Sequence, residues 1–165
     1  MTGRYATNTD VSSERSRAEI EKTVRRYGAK GFLYGFNDDQ ALVEFLINNR
    51  RVRFLLTMPD FYAREFTHTP GRGLARTETA HAEAYDQAVR QRWRALNLVI
   101  KAKLEAVETG IVTFDAEFLA HVVLPNGQTV GEAVVPRMQR AYELGQVDTD
   151  LLALPTREET ADVSG

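Results

Sequence analysis

Seven apolar residues, Tyr85, Val89, Trp93, Leu96, Ile100, Leu104 and Val107, recur at intervals of 4, 4, 3, 4, 4 and 3. That spacing describes one seam along an amphipathic helix over about residues 78–109, close to 48 Å long at 1.5 Å per residue. Gly110 ends it. A helix of this length does not stay in water with its seam bare, so the rest of the chain must cover it. The heptad-like spacing also permits self-association, although burial against a sheet is the simpler use.

The cover is written upstream. Three strand-like runs, Gly31 to Phe36, Ala41 to Asn48 and Arg50 to Met58, are separated by Asn37-Asp38-Asp39-Gln40 and by Asn48-Asn49. Both separators are turn chemistry, because Asn and Asp tolerate positive φ and bond locally to the backbone. A two-residue turn at Asn48-Asn49 sets Phe45 opposite Val52 and Val43 opposite Phe54 on one face. On the other face it sets Glu44 opposite Arg53 and Leu46 opposite Arg51. Apolar meets apolar and acid meets base in one register, and a slip of one residue destroys the match.

Before the strands, Ser16-Arg17-Ala18-Glu19 reads as a capping box that starts a short helix with Ile20, Val24 and Tyr27 on one face and Gly28 at its end. After the long helix, Thr113 caps a short one carrying Phe114 and Phe118, Pro125-Asn126-Gly127 marks a turn, and Thr129 to Glu132 repeats the capping-box pattern. The last helix is expected to reach about Leu144, kinked or shortened by Pro136. Residues 59–77 show no period and exceed an ordinary connection, which points to a functional or disordered loop. The expected fold is α+β: a short helix, a three-stranded antiparallel meander, a long helix packed on the sheet, then smaller C-terminal helices. Residues 1–145 form one domain, with 1–11 as an extended arm and 146–165 as an acidic, disordered tail.

The chain of 165 residues has no cysteine, which excludes a disulfide scaffold and thiolate chemistry. Neither a membrane-length apolar run nor a signal-peptide core is present, so a soluble, cytoplasmic protein without membrane contact is expected. The net charge of −2 conceals an asymmetry. Residues 1–103 hold 18 Lys+Arg against 12 Asp+Glu, and residues 104–165 hold 3 against 11. Of the 21 basic residues 17 are arginine, the side chain that forks onto phosphate and stacks on bases.

Three basic groups are candidates for a nucleic-acid surface. Arg90, Arg94 and Lys101 lie with Asn97 within about 60° of one another on the long helix. Arg64, Arg72 and Arg76 belong to the irregular segment, and Arg51 lies at the hairpin beside Arg50 and Arg53. Phe61 and Tyr62 are the candidate stacking groups at the segment's entrance, whereas Trp93 belongs to the seam. Against these stand bland uses: i, i+4 pairs on a solvated helix face, and Glu44 opposite Arg53.

Catalytic patterns are sparse. Only Glu117 and His121 have a helical spacing suited to shared metal ligation, and two residues do not make a site. No phosphate loop, dinucleotide fingerprint or nucleophile elbow occurs, and Pro59-Asp60 lacks the acid and lysine that complete a common nuclease motif. No cofactor or metal is called for. A hydrolase using Asp60, Glu65, Glu117 or His121 is the minor alternative.

Residues 16–28 (SRAEIEKTVRRYG), 92–110 (RWRALNLVIKAKLEAVETG) and 117–131 (EFLAHVVLPNGQTVG) together resemble a family of small proteins encoded in phages and prophages, over residues 5 to about 145. The resemblance implies a phage setting in a bacterial host and assigns no catalytic residue. The order of helix, meander and long helix is also similar, in topology alone, to the core of the single-strand annealing proteins of phage recombination. The expectation is therefore a non-enzymatic protein that binds single-stranded DNA in recombination or replication. The alternative is a protein-binding module that inhibits a host enzyme or defence factor, with the long helix and acidic tail facing a host or phage protein.

Overall fold

A computed structural model describes residues 12–147 apart from Asp38. The arm expected over residues 1–11 and the tail beyond residue 147 lie outside them. The fold is α+β, as expected from the sequence. Helix α1 (Ser13–Arg26) leads into β1 (Gly31–Phe36), β2 (Gln40–Ile47) and β3 (Arg50–Thr57). Then follow α2 (Arg64–Thr67), α3 (Glu78–Glu108), α4 (Phe114–Phe118), a single 3₁₀ turn (Leu119–His121) and α5 (Val130–Leu144).

The sheet is antiparallel in the order β1-β2-β3. Its hairpin register is the one that side-chain matching demands: Val43 opposite Phe54, Glu44 opposite Arg53, Phe45 opposite Val52 and Leu46 opposite Arg51. Asn48 and Asn49 both have positive φ, 48° and 57°, the backbone of the hairpin turn whose twist suits the flanking strands. Alternation sends Ala41, Val43, Phe45, Ile47, Val52 and Phe54 into the core. Glu44, Arg51, Arg53 and the exposed Leu33, Leu46 and Leu55 fall on the opposite face.

Helix α3 brings Trp93, Leu96, Ile100 and Leu104 onto the core face of the sheet, with Val89 and Val107 partly buried at the ends. Only this C-terminal half covers strands. The N-terminal half packs on α2 and the segment before it, where Tyr85 meets the rings of Phe61 and Phe66. Helix α1 lies beside α3 and runs in the same direction: Arg17 lies over Trp93, Glu19 bonds Arg94, and Tyr27 donates to Glu105.

Two local expectations change. Helix α1 begins one turn earlier than the Ser16 pattern suggests, because Ser12 caps it by accepting the Arg15 N–H. Ser16 is buried in line with Ile20 and Val24, so packing holds the extra turn, and Glu19 serves α3 instead of a cap. Residues 59–77 are not an irregular loop. They contain α2 and a tight knuckle closed by a bridge between His68 and Ala75, with Phe66 buried as the anchor. These pieces are too short to repeat a pattern, α2 being barely one helical turn, so periodicity misses them. Helix α5 reaches Leu144 as expected, running without shortening through Pro136, which supplies no N–H to the ladder, and ends where Gly145 turns left-handed.

The second capping box forms in full: Thr129 Oγ1 accepts the Glu132 N–H, and the Glu132 carboxylate accepts the Thr129 N–H. Helix α5 nevertheless buries no residue completely. Its first turn rests on the 3₁₀ turn through Gly131, where a Cβ would lie 2.9 Å from the Ala120 carbonyl oxygen.

Candidate nucleic-acid interface

The knuckle between α2 and α3 gathers the arginines of residues 59–77. Arg64 and Arg76 line one groove of about 490 Å³ together with His68, Thr69 and Gly73. Arg76 is half-buried, and its Nε donates to the His68 carbonyl at 3.2 Å, which fixes the guanidinium in the groove wall. Gly71 and Gly73 have φ of +86° and +62°, and a Cβ on Gly73 would lie 3.3 Å from Arg64 Nη2. The two glycines thus make the turn possible and leave space for that guanidinium. Arg72, between them, is exposed at the tip.

Arg76 and Glu65 also line an adjoining groove of about 520 Å³, whose other wall is the back of α3 with Ala88, Gln91 and Arg92. Arg92 donates to the Thr57 carbonyl at 2.6 Å, tying α3 to the end of β3. Sequence reasoning passed over Arg92 because it lies about 160° round the helix from Arg90. The available clue was the spacing of Ala88, Arg92 and Ala95, a back face with small residues that leaves room for a neighbour.

The remaining candidates do not join this surface. Arg94 Nη1 lies 2.8 Å from Glu19 Oε2, so its charge is used between α1 and α3. Arg90 is half-buried and donates to Gln87 through Nε and Nη2. Lys101 is exposed on the same side of α3, along the flank that faces α1. Arg51 belongs to the open face of the sheet, where Glu44 pairs with Arg51 at 3.0 Å and with Arg53 at 2.9 Å. One continuous basic surface across helix, segment and hairpin is therefore not formed.

Phe61 and Tyr62 line a different feature, a cleft of about 980 Å³ between the start of α1, the far ends of the strands and the first half of α3. Asp60 accepts the Tyr62 N–H, and His81 bonds the Phe61 carbonyl at 2.7 Å. The Phe61 ring is committed to Tyr62, His81 and Tyr85, whereas Tyr62 is 78% exposed. The same cleft carries Glu14, Asp39, Asp60 and Asp86 against the single cation Arg17. The backbone N–H at its own helix start and the Arg17 guanidinium hold the Glu14 carboxyl below the usual range.

Among the described residues no group of three or more His, Asp or Glu side chains is placed to hold a metal ion. Glu117 bonds Lys103 at 2.8 Å, and His121 stacks on Phe54 with centroids 4.0 Å apart. Burial, with Lys103 nearby, pushes the His121 pKa down. Asp60 lines the aromatic cleft and Glu65 the knuckle, so the four side chains of the hydrolase alternative do not share a pocket. No helix among the described residues is long and apolar enough to cross a membrane.

No protein family, curated protein or solved structure matches this chain.

Proposed function

We propose that this chain is a non-enzymatic, phage-type protein that binds nucleic acid, with single-stranded DNA in recombination or replication as its ligand, and that the knuckle is where the phosphates sit. One observation carries the reading. Among the described residues, Arg64, Arg72, Arg76 and Arg92 form no ion pair with a carboxylate, whereas Arg15, Arg17, Arg25, Arg50, Arg51, Arg53 and Arg94 all do. Arg26, Arg90 and Arg140 also lack a carboxylate partner but stand apart from one another, whereas Arg64, Arg76 and Arg92 line two adjoining grooves with Arg72 at the tip beside them, a grouping suited to forks onto an external anion. Glycines at the turn let an extended backbone approach closely, and a single strand is flexible enough to follow so short a track.

Anisotropy titrations with a labelled single-stranded oligonucleotide at two salt concentrations test this. Arg64→Ala, Arg72→Ala and Arg76→Ala each weaken binding and lower the salt slope by about one. No affinity at low salt overturns the proposal.

A second reading, a module that binds a host or phage protein, is favoured by the open sheet face, where Leu33 is 56% and Leu55 48% exposed. Its test is retention of a stoichiometric partner from nuclease-treated host lysate by the protein, and loss of that partner in Leu55→Ser.

A further inference from the structure

The aromatic cleft and the knuckle have opposite electrostatics although only a short chain segment separates them; Pro59 lines the cleft and also the α3 groove. The four cleft carboxylates outnumber its single arginine, which repels a phosphate chain and attracts a cation. The inner wall already shows which cation suits it. The Arg17 guanidinium lies 5.0 Å from the Tyr34 ring centroid and 5.2 Å from that of Trp93. Glu14 bonds it from the side at 3.0 Å. A positive planar group lying over two rings and held by a carboxylate is cation–π recognition completed within the chain.

The mouth of the cleft repeats that combination with groups turned outward. Phe36 and Tyr62 are each 78% exposed, an unusual state for two large rings in one concavity. Asp39, Asp60 and Asp86 stand among them. Among the described residues Asp39 and Asp86 form no ion pair with a basic side chain, and Asp60 uses one oxygen to hold the Tyr62 turn.

We propose that this cleft binds an arginine- or lysine-bearing peptide segment of a protein partner, with Tyr62 and Phe36 receiving the cationic head and Asp39 and Asp86 neutralising it. A cleft of about 980 Å³ exceeds what one side chain fills, so the occupant is a segment with basic residues among apolar ones. The site is independent of the knuckle and needs no nucleic acid.

The sole tryptophan, Trp93, lines the cleft and reports occupancy through its fluorescence. The probes are a short amidated peptide with arginines at alternate positions and the same peptide carrying neutral citrulline instead. The arginine peptide is expected to change Trp93 emission saturably, and the citrulline peptide to bind about tenfold more weakly. Tyr62→Ala, Asp39→Asn and Asp86→Asn, all at exposed positions, are each expected to weaken the arginine peptide about threefold. Arg64→Ala leaves it unchanged. Equal binding of the two peptides overturns the proposal. So does no binding, or undiminished binding when all three cleft substitutions are combined, which assigns the attraction to the acidic C-terminal third instead.

Discussion

Glu19 Oε2 accepts hydrogen bonds from Arg94 Nη1 and from Asn97 Nδ2, each at 2.8 Å, and so joins α1 to α3 through one oxygen. Asn97 is buried, and removing the carboxylate leaves its amide without that acceptor. Glu19→Ala is expected to cost about 1–2 kcal/mol, read from the urea midpoint. Arg94→Ala lowers stability as well, but changes oligonucleotide affinity far less than Arg76→Ala. An Arg94→Ala protein that keeps its stability and loses DNA binding contradicts the assignment of this arginine to the helix interface.

Ser16 is fully buried and its Oγ has no hydrogen-bond partner among the described residues. Alanine keeps the helix and removes a desolvated hydroxyl. Ser16→Ala is expected to stabilise the fold by about 1 kcal/mol. A lower denaturation midpoint in this variant shows that the hydroxyl is satisfied in solution.

The hairpin turn holds two non-glycine residues at positive φ. Asn49→Gly relieves that constraint at the position where glycine is favoured and should raise stability by about 0.5–1 kcal/mol. Asn48→Ala, which puts an ordinary side chain into the left-handed region, should lower it by about 1 kcal/mol. Opposite signs for the two variants in one chemical-denaturation series check the turn geometry.

Burial, with Lys103 nearby, lowers the folded pKa of His121, which stacks on Phe54, below the unfolded value near 6.5. In the interval between the two values the unfolded chain binds more protons than the folded one. The histidine's contribution is therefore fully present above about pH 6.5 and is lost as pH falls through the lowered folded value. Thermal melts at about pH 7.5 and 5.5 should show a larger drop in Tm for the native protein than for His121→Phe, which keeps a ring on Phe54 without a titrating nitrogen. Equal drops indicate that other groups carry the pH response.

Elements with repeating side-chain chemistry could be read directly from the chain. The seam from Tyr85 to Val107 specified α3, and the pairing of Glu44 with Arg53 specified the hairpin register, because each local match excluded its neighbours. The two S/T-x-x-E patterns show where such reading stops. Thr129 and Glu132 form the box, whereas in α1 the cap is Ser12, whose Oγ accepts the Arg15 N–H, and Glu19 is taken up by Arg94 and Asn97 of α3.

The chain by itself determined the fold class, the hairpin register, the long helix and the separation of basic from acidic halves, since all of these follow from near neighbours and from counting. Only the tertiary structure decided which charges are spent and which are offered. Arg94 and Arg51 are absorbed by Glu19 and Glu44, Arg92 enters beside Arg76, and Phe61 with Tyr62 falls among carboxylates instead of arginines. A side chain's availability depends on partners as far away in sequence as Glu19 is from Arg94, and helical angles along one element do not contain that information.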